Sequence, residues 1–313
     1  MTTVILHLSD IHIRSDRDWI IDKADAIASA VIPALPEASA VFIVVSGDIA
    51  WSGKSDEYRA ATKLLDGIRN RLSEEGSAPV HFVVAPGNHD CDFSQNNKTR
   101  LLTLTSVRST PAEIDESVIE TGCSIQAPYR AFAEALHSAH ESRIGDKLWC
   151  AHRFTVEGKE IVFDVLNVSW CSQIHEEPGS LVFPHERYSQ LLEETTDLRI
   201  GVIHHPLNWF SQAMYHPFKQ LLRSLSNVII SGHEHVGGVG EDLNAASGHS
   251  AYVDGCILQD EQRPTSSSFN VVELNLDEGA YRSTRYLWNI DGRHYSATEE
   301  APGETSAVSQ RRV

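Results

Sequence analysis

Five separate apolar runs in this chain each stop at a carboxylate, a carboxamide or an imidazole. Residues 4–8 lead into Ser9, Asp10, Ile11 and His12, and residues 41–45 into Ser46, Gly47 and Asp48. Residues 80–85 lead into Pro86, Gly87, Asn88, His89 and Asp90. Residues 200–203 precede His204, His205 and Pro206, and residues 227–230 precede Ser231, Gly232, His233, Glu234 and His235. Taken singly, each polar residue suits an ordinary turn, because Asp and Asn bond their own backbone and tolerate left-handed conformations. Repetition at five strand ends requires more. In an open α/β sheet the carboxyl ends of the strands share one edge, where ligands bind. Clusters spread over residues 10 to 235 are thereby brought to one rim.

The pattern between these runs supports that architecture. Further apolar, β-branched runs lie at 161–168, 251–253, 269–276 and 281–288. Helical spacing marks 19–32, which ends at Pro33, and 56–72, where Tyr58, Ala61, Leu64, Leu65, Ile68 and Leu72 form one stripe. Ser55 or Asp56 is the expected cap of the second helix. Shorter helices are expected at 187–194 and 217–225. Strands alternating with helices make this an α/β protein.

We expect one domain over residues 1–298, interrupted at about 91–150 by a mainly helical insertion with helices near Ser117 and at 127–140. The glycine-rich stretches 176–180 and 237–250 are expected as loops. Residues 299–313 are low in hydrophobicity and expected as a disordered tail or a linker to a larger assembly.

Charge and cysteine usage narrow the function classes. The chain of 313 residues carries 26 basic and 43 acidic residues, a net charge of −17. So acidic a surface repels nucleic-acid backbones and argues against an extended nucleic-acid face. No stretch reaches the ~18 apolar residues of a membrane span. Five cysteines are scattered without a CxxC pair, which fits reduced thiols and a cytoplasmic setting.

Two Asp, one Asn and four or more His at one rim exceed what a nucleophilic triad uses. A closed structural zinc site would usually include cysteines. Imidazole, carboxylate and carboxamide donors together suit borderline or hard divalent ions. Two such ions about 3.5–4 Å apart polarise a phosphoryl oxygen and lower the pKa of a bridging water until it attacks as hydroxide.

The ordered blocks "DIH", "GD", "GNHD", "HHP" and "GHEH", over residues 10 to 235, resemble the calcineurin-like metallophosphoesterase superfamily. The resemblance implies a four-layer αββα sandwich of two mainly mixed β-sheets flanked by helices. It implies that Asp10, His12, Asp48 and His235 hold a first metal, and that Asp48 bridges to a second held by Asn88, His204 and His233. His89 would act off the metals on the phosphate or leaving oxygen, with Asp90 orienting it. Two divalent cations are implied, Mn²⁺ foremost, with Fe, Zn²⁺, Co²⁺ or Ni²⁺ as the other candidates.

The stretch "GDIAWSGKSDEYRAATKLL" at 47–65 is similar to the class III cyclic nucleotide phosphodiesterase branch. It points to a nucleotide or another small phosphodiester as substrate. A phosphomonoesterase or protein phosphatase, a nuclease and a non-catalytic sensor module of a larger assembly stay open as alternatives, and a homodimer is compatible. A nuclease would need a local basic strip, for which Arg14, Arg17, Lys54, Arg59, Lys98, Arg100 and Arg108 are the available cations. His175 and His249 lie in long loops near the rim and are candidate substrate contacts.

Overall fold

The structure is a computed structural model and describes residues 1–109, 114–138, 141–244, 248–260, 263 and 266–304. Each of the nine apolar runs falls in a strand. The first sheet joins β1 (Thr2–Leu8), β2 (Ala38–Val45), β3 (Val80–Val84), β11 (Ser268–Asn275), β12 (Ala280–Asn289) and β13 (His294–Glu304) in the order β13-β12-β11-β1-β2-β3. Here β1, β2 and β3 run parallel, while β11 pairs antiparallel with β1.

The second sheet contains β4 (Ser142–Gly145), β5 (Trp149–Val156), β6 (Lys159–Leu166), β7 (Leu198–Val202), β8 (Val228–Ser231), β9 (Gly238–Asn244) and β10 (Gly248–Asp254). Its order is β4-β5-β6-β7-β8-β10-β9, with β6, β7, β8 and β10 parallel.

Strand periodicity explains the layers. In β2, Phe42 and Val44 face the other sheet and join Ile5, Val83, Phe163, Ile200 and Ile230 in a core between the sheets. Their neighbours Val41, Ile43 and Val45 face outward and pack on α1 (Ala24–Val31) and α2 (Ser55–Glu75) through Ile27, Val31, Leu64 and Ile68. Covered on both faces, such a strand reads as an unbroken apolar run. The outer face of the second sheet is covered by α3 (Lys98–Ser109), α4 (Glu116–Gly122) and α6 (Gln212–Leu225), through Leu104, Ile119, Phe218 and Leu222. The result is the αββα sandwich. Phe42 touches Phe154 and Phe163 at centroid distances of 4.9 and 4.7 Å, so truncating it to Ala should cost about 3–5 kcal/mol.

Several expectations are corrected. The helical part of the 91–150 segment ends with α5 (Ala127–Ala135), because β4 and the first residues of β5 already belong to the second sheet. Polar residues such as His152 and Arg153 hide the period of β5. The glycine-rich segment at 237–250 forms most of the β9–β10 hairpin, where glycine is tolerated because β9 is the sheet edge.

Residues 299–304, expected as the start of a disordered tail, extend β13 along β12. Residues 305–313 lie outside the described residues. Helix α2 is capped by the Glu57 carboxylate, which accepts the backbone N–H groups of Ser52 and Lys54 at 2.9 and 3.0 Å, and not by Ser55 or Asp56. Helix α6 begins at Gln212 and carries Pro217 inside it.

Candidate metal centre

The parallel strands of both sheets deliver their carboxyl ends to one rim. Asp10 and His12 follow β1, Asp48 follows β2, Asn88, His89 and Asp90 follow β3, His204 follows β7, and His233 and His235 follow β8. Asp10, Asp48 and His204 present ligand atoms within 4.8 Å of one another, as do Asp10, His12 and His235. The His204 Nε2 lies 3.3 Å from Asp48 Oδ2, 3.2 Å from Asn88 Oδ1 and 3.3 Å from His233 Nδ1. His235 Nε2 lies 3.2 Å from Asp10 Oδ1. All seven predicted ligands therefore meet, and Asp48 touches both groups, since His12 and Asp48 also share a cluster with His89.

Local backbone chemistry forces this convergence. Asp10, His12, Asp48, His233 and His235 have φ of 52°, 52°, 53°, 72° and 60°. They are five of the seven non-glycine residues in the left-handed region among the described residues. Each such conformation costs on the order of 1 kcal/mol or more, and such residues cluster at functional sites. The turns are clamped together: His12 and Ile11 N–H groups both donate to the Asp48 carbonyl at 2.9 Å, and the His233 N–H donates to Asp10 Oδ2 at 3.1 Å. Gly87 leaves room for Asp48, because a Cβ there would strike the Asp48 carboxylate and its backbone amide.

The electrostatics follow from burial and proximity. Burial outweighs the nearby Asp48 and Asp10 and lowers His12 to about 4. It lowers His233 to about 2, with His205 and His204 adding repulsion. Burial also opposes charge on His204, but Asp48 prevails and raises it to about 9. Asp10 is lowered to about 2 against its burial by the His235 hydrogen bond and by His204.

Two carboxylates, four imidazoles and a carboxamide form a donor set for borderline divalent cations. Asp10 Oδ1 is fully buried and faces only the imidazoles of His235 and His12, at 3.2 and 3.9 Å. Donors bonded at about 2.1 Å to one ion stand roughly 3.0–3.4 Å apart, which matches the separations of 3.2 and 3.3 Å found here. These residues fit a metal pair.

Supporting residues hold the ligands. The Ser46 carbonyl lies 2.8 Å from His204 Nδ1 and so turns Nε2 toward Asp48. His7 Nε2 lies 2.8 Å from the Ser46 hydroxyl, which gives this histidine, outside the sequence motifs, a part in the scaffold. His205 is held 2.9 Å from Glu176 Oε2.

Asp90 departs from its expected role. Its carboxylate accepts the N–H groups of Ile49, Ala50 and Gly87 at 3.2, 3.0 and 2.8 Å, and the Tyr58 hydroxyl at 2.9 Å. It braces the turns that carry Asp48 and Asn88, while the Trp51 carbonyl, 2.7 Å from Nδ1, orients His89. Sequence reasoning missed Ser46, Trp51 and Glu176 in these roles. Two of them act through backbone carbonyls, which side-chain identity does not reveal, and Glu176 lies in a stretch read only as a loop.

Three of the seven cations named for a basic strip are otherwise engaged. Arg100 is fully buried and donates to the carbonyls of Gly122, Trp170 and Ser172. Lys54 is paired with Asp92 and Arg59 with Asp56. His175 is exposed, and His249 lies 3.2 Å from Glu241. The five cysteines are unpaired, and burial pushes the Cys91 thiol well above its ordinary pKa.

A two-sheet sandwich with seven convergent metal-type donors at its strand ends defines a metallophosphoesterase-type protein. The calcineurin-like phosphoesterase family matches residues 3–237, and the chain belongs to that family. A curated relative, an uncharacterized metallophosphoesterase-like protein of Bacillus subtilis, YydB, is 23% identical over 96% of this chain. The match spans 62% of that relative's length. Among solved structures, PhoD superposes with a TM-score of 0.52 at 10% identity, covering 95% of this chain and 72% of its own. A phosphatase from Mycoplasma pneumoniae is similar with a TM-score of 0.43 at 13% identity, covering 98% of this chain and 95% of its own. No helix among the described residues is long and apolar enough to cross a membrane.

Proposed function

We propose that this chain is a metal-dependent phosphodiesterase acting on a nucleotide or another small phosphodiester. The reading is carried by Asp48, whose carboxylate lies among donors of both clusters, the position a bridging ligand takes. Asp10, His12, Asp48 and His235 would hold one divalent ion, and Asp48, Asn88, His204 and His233 the other. A bound pair supplies Lewis-acid polarisation of the phosphoryl oxygens and a water of lowered pKa.

The chain's own residues do the rest. A carbonyl oxygen only accepts, so the Trp51 contact keeps one proton of His89 on Nδ1, and as the imidazolium His89 carries a second on Nε2, the atom that would face the phosphate. From there His89 protonates the departing oxygen. A diester suits the surroundings better than a monoester: a monoester carries about −1.5 to −2 and a diester about −1. Lys54, the cation beside His89 in the adjoining pocket, is already neutralised by Asp92.

The test is Asp48→Asn, assayed for bound Mn²⁺ and for turnover of a generic diester and a matched monoester. Both occupancy and turnover should be lost, and the wild type should favour the diester. Turnover retained by a metal-free Asp48→Asn protein overturns the mechanism, and a wild type that hydrolyses only the monoester overturns the substrate class.

A further inference from the structure

A pocket of about 270 Å³ opens directly beside His89 and borders the metal donors at Asn88. Its walls are Trp51, Phe93 and Ile174, and its polar edge is Lys54 with Asp92. Three observations define what it can hold. First, the walls are apolar and aromatic: Trp51 packs against His89 with ring centroids 4.7 Å apart and planes tilted by 40°, beside Phe93 and Ile174. Second, the Lys54 ammonium is tied to the Asp92 carboxylate and the Ser94 hydroxyl, so the edge offers no uncompensated cation for a further phosphate. Third, the volume lies just below the ~300–1,000 Å³ of sites for drug-sized ligands, which suits one ring system and not a strand.

The rim is fixed in place. Ile174 is 64% exposed, two residues before Glu176, whose carboxylate is held by buried His205. The wall is thereby fastened to the turn that carries His204.

We propose that this pocket is the leaving-group subsite and takes an uncharged, ring-sized alcohol, a nucleoside or an aryl group. The proposal rests on the phosphodiesterase reading above. Hydrolysis breaks the bond between phosphorus and the leaving oxygen. That oxygen takes a proton from His89 Nε2, water supplies the hydroxyl that replaces it on phosphorus, and the remaining water proton restores His89. The departing alcohol is then released next to Trp51 and Phe93, where a neutral ring is desolvated favourably and an anion is not.

The experiment compares two diesters of similar reactivity, methyl 4-nitrophenyl phosphate and methyl 3-carboxy-4-nitrophenyl phosphate, with Mn²⁺-loaded protein. The wild type should favour the neutral leaving group at least tenfold in kcat/KM. Ile174→Lys should shrink that ratio below threefold. Thr155→Lys adds the same charge on β5, at the opposite end of the strands, and should leave the ratio unchanged. A ratio near one in the wild type, or one that Ile174→Lys leaves unchanged, overturns the subsite while turnover itself upholds the phosphodiesterase reading. Hydrolysis of neither diester overturns that reading, and the proposal with it.

A second readout needs no turnover. Saturation transfer from metal-free protein to adenosine should be seen with the wild type and lost in Phe93→Asp. Absent transfer in the wild type, or equal transfer in both proteins, overturns the subsite.

Discussion

The backbone carbonyl of Trp51 lies 2.7 Å from Nδ1 of His89. This bond assigns the histidine its tautomer and its direction without drawing on any ligand carboxylate, so His89 can act on substrate without disturbing the donors. His89→Ala should therefore lower kcat by about 10²–10⁴, the span of a lost general acid. Metal content by atomic emission should stay at the wild-type value. A variant that loses its metals along with its rate would make His89 a ligand, consistent with its place beside His12 and Asp48.

Metal loading should release protons in an amount the donor set dictates. His12 and His233, lowered to about 4 and about 2, are already neutral at pH 7. His204, raised to about 9, carries a proton that ligation must displace, and His235 is shifted in the same direction by its bond to Asp10. Calorimetric titration with Mn²⁺ in buffers of different ionisation enthalpy should report about one to two protons released at pH 7. The apparent affinity should rise between pH 6 and pH 9. Binding without proton release would contradict the assigned donors.

Gly87 tests how tightly the turn is packed. A Cβ there would enter the space of the Asp48 carboxylate and amide, so Gly87→Ala should destabilise the fold by about 1–3 kcal/mol and weaken metal binding. Gly240 has open space where its Cβ would be, and Gly240→Ala should stay within about 0.5 kcal/mol of the wild type. Urea denaturation of the two variants, with and without Mn²⁺, separates the effects.

The site was legible in the sequence because its residues stand at strand ends, and strands buried on both faces announce themselves as apolar runs. Each such run was read correctly, and the parallel order of β1, β2, β3, β7 and β8 then gathered the donors. What was not legible has physical causes. Strand β5 keeps polar residues on both sides of its period, and β9 is a glycine-bearing edge whose stability comes from pairing with β10. Asp90 was assigned to His89 on the family resemblance. Successive residues in a turn point apart, and its carboxylate found the backbone of the loop after Asp48. Glu176 meets His205 across a separation of 29 residues, a contact that no local pattern encodes.

Far from the metal donors in sequence, Glu141 and His152 form a buried pair whose pH dependence differs from that of the site. Burial alone would lower His152, but hydrogen bonds to Cys150 and Glu141 raise it to about 9. Glu141 is itself lowered against its burial by His152, with His137 Nδ1 3.0 Å from its other oxygen. A histidine raised on folding contributes stability that is complete below its unfolded pKa near 6.5 and fades as pH rises through about 9. The lowered glutamate contributes above its unfolded value near 4.5 and fades as pH falls below it. The pair is thus worth most between about pH 4.5 and 6.5. His152→Gln should cost up to about 3 kcal/mol at pH 6, at about 1.4 kcal/mol per pH unit between the two states. By pH 9.5 most of that difference should be gone. Chemical denaturation of both proteins at pH 6 and pH 9.5 reads the change, and an equal gap at both values would show that His152 is held neutral.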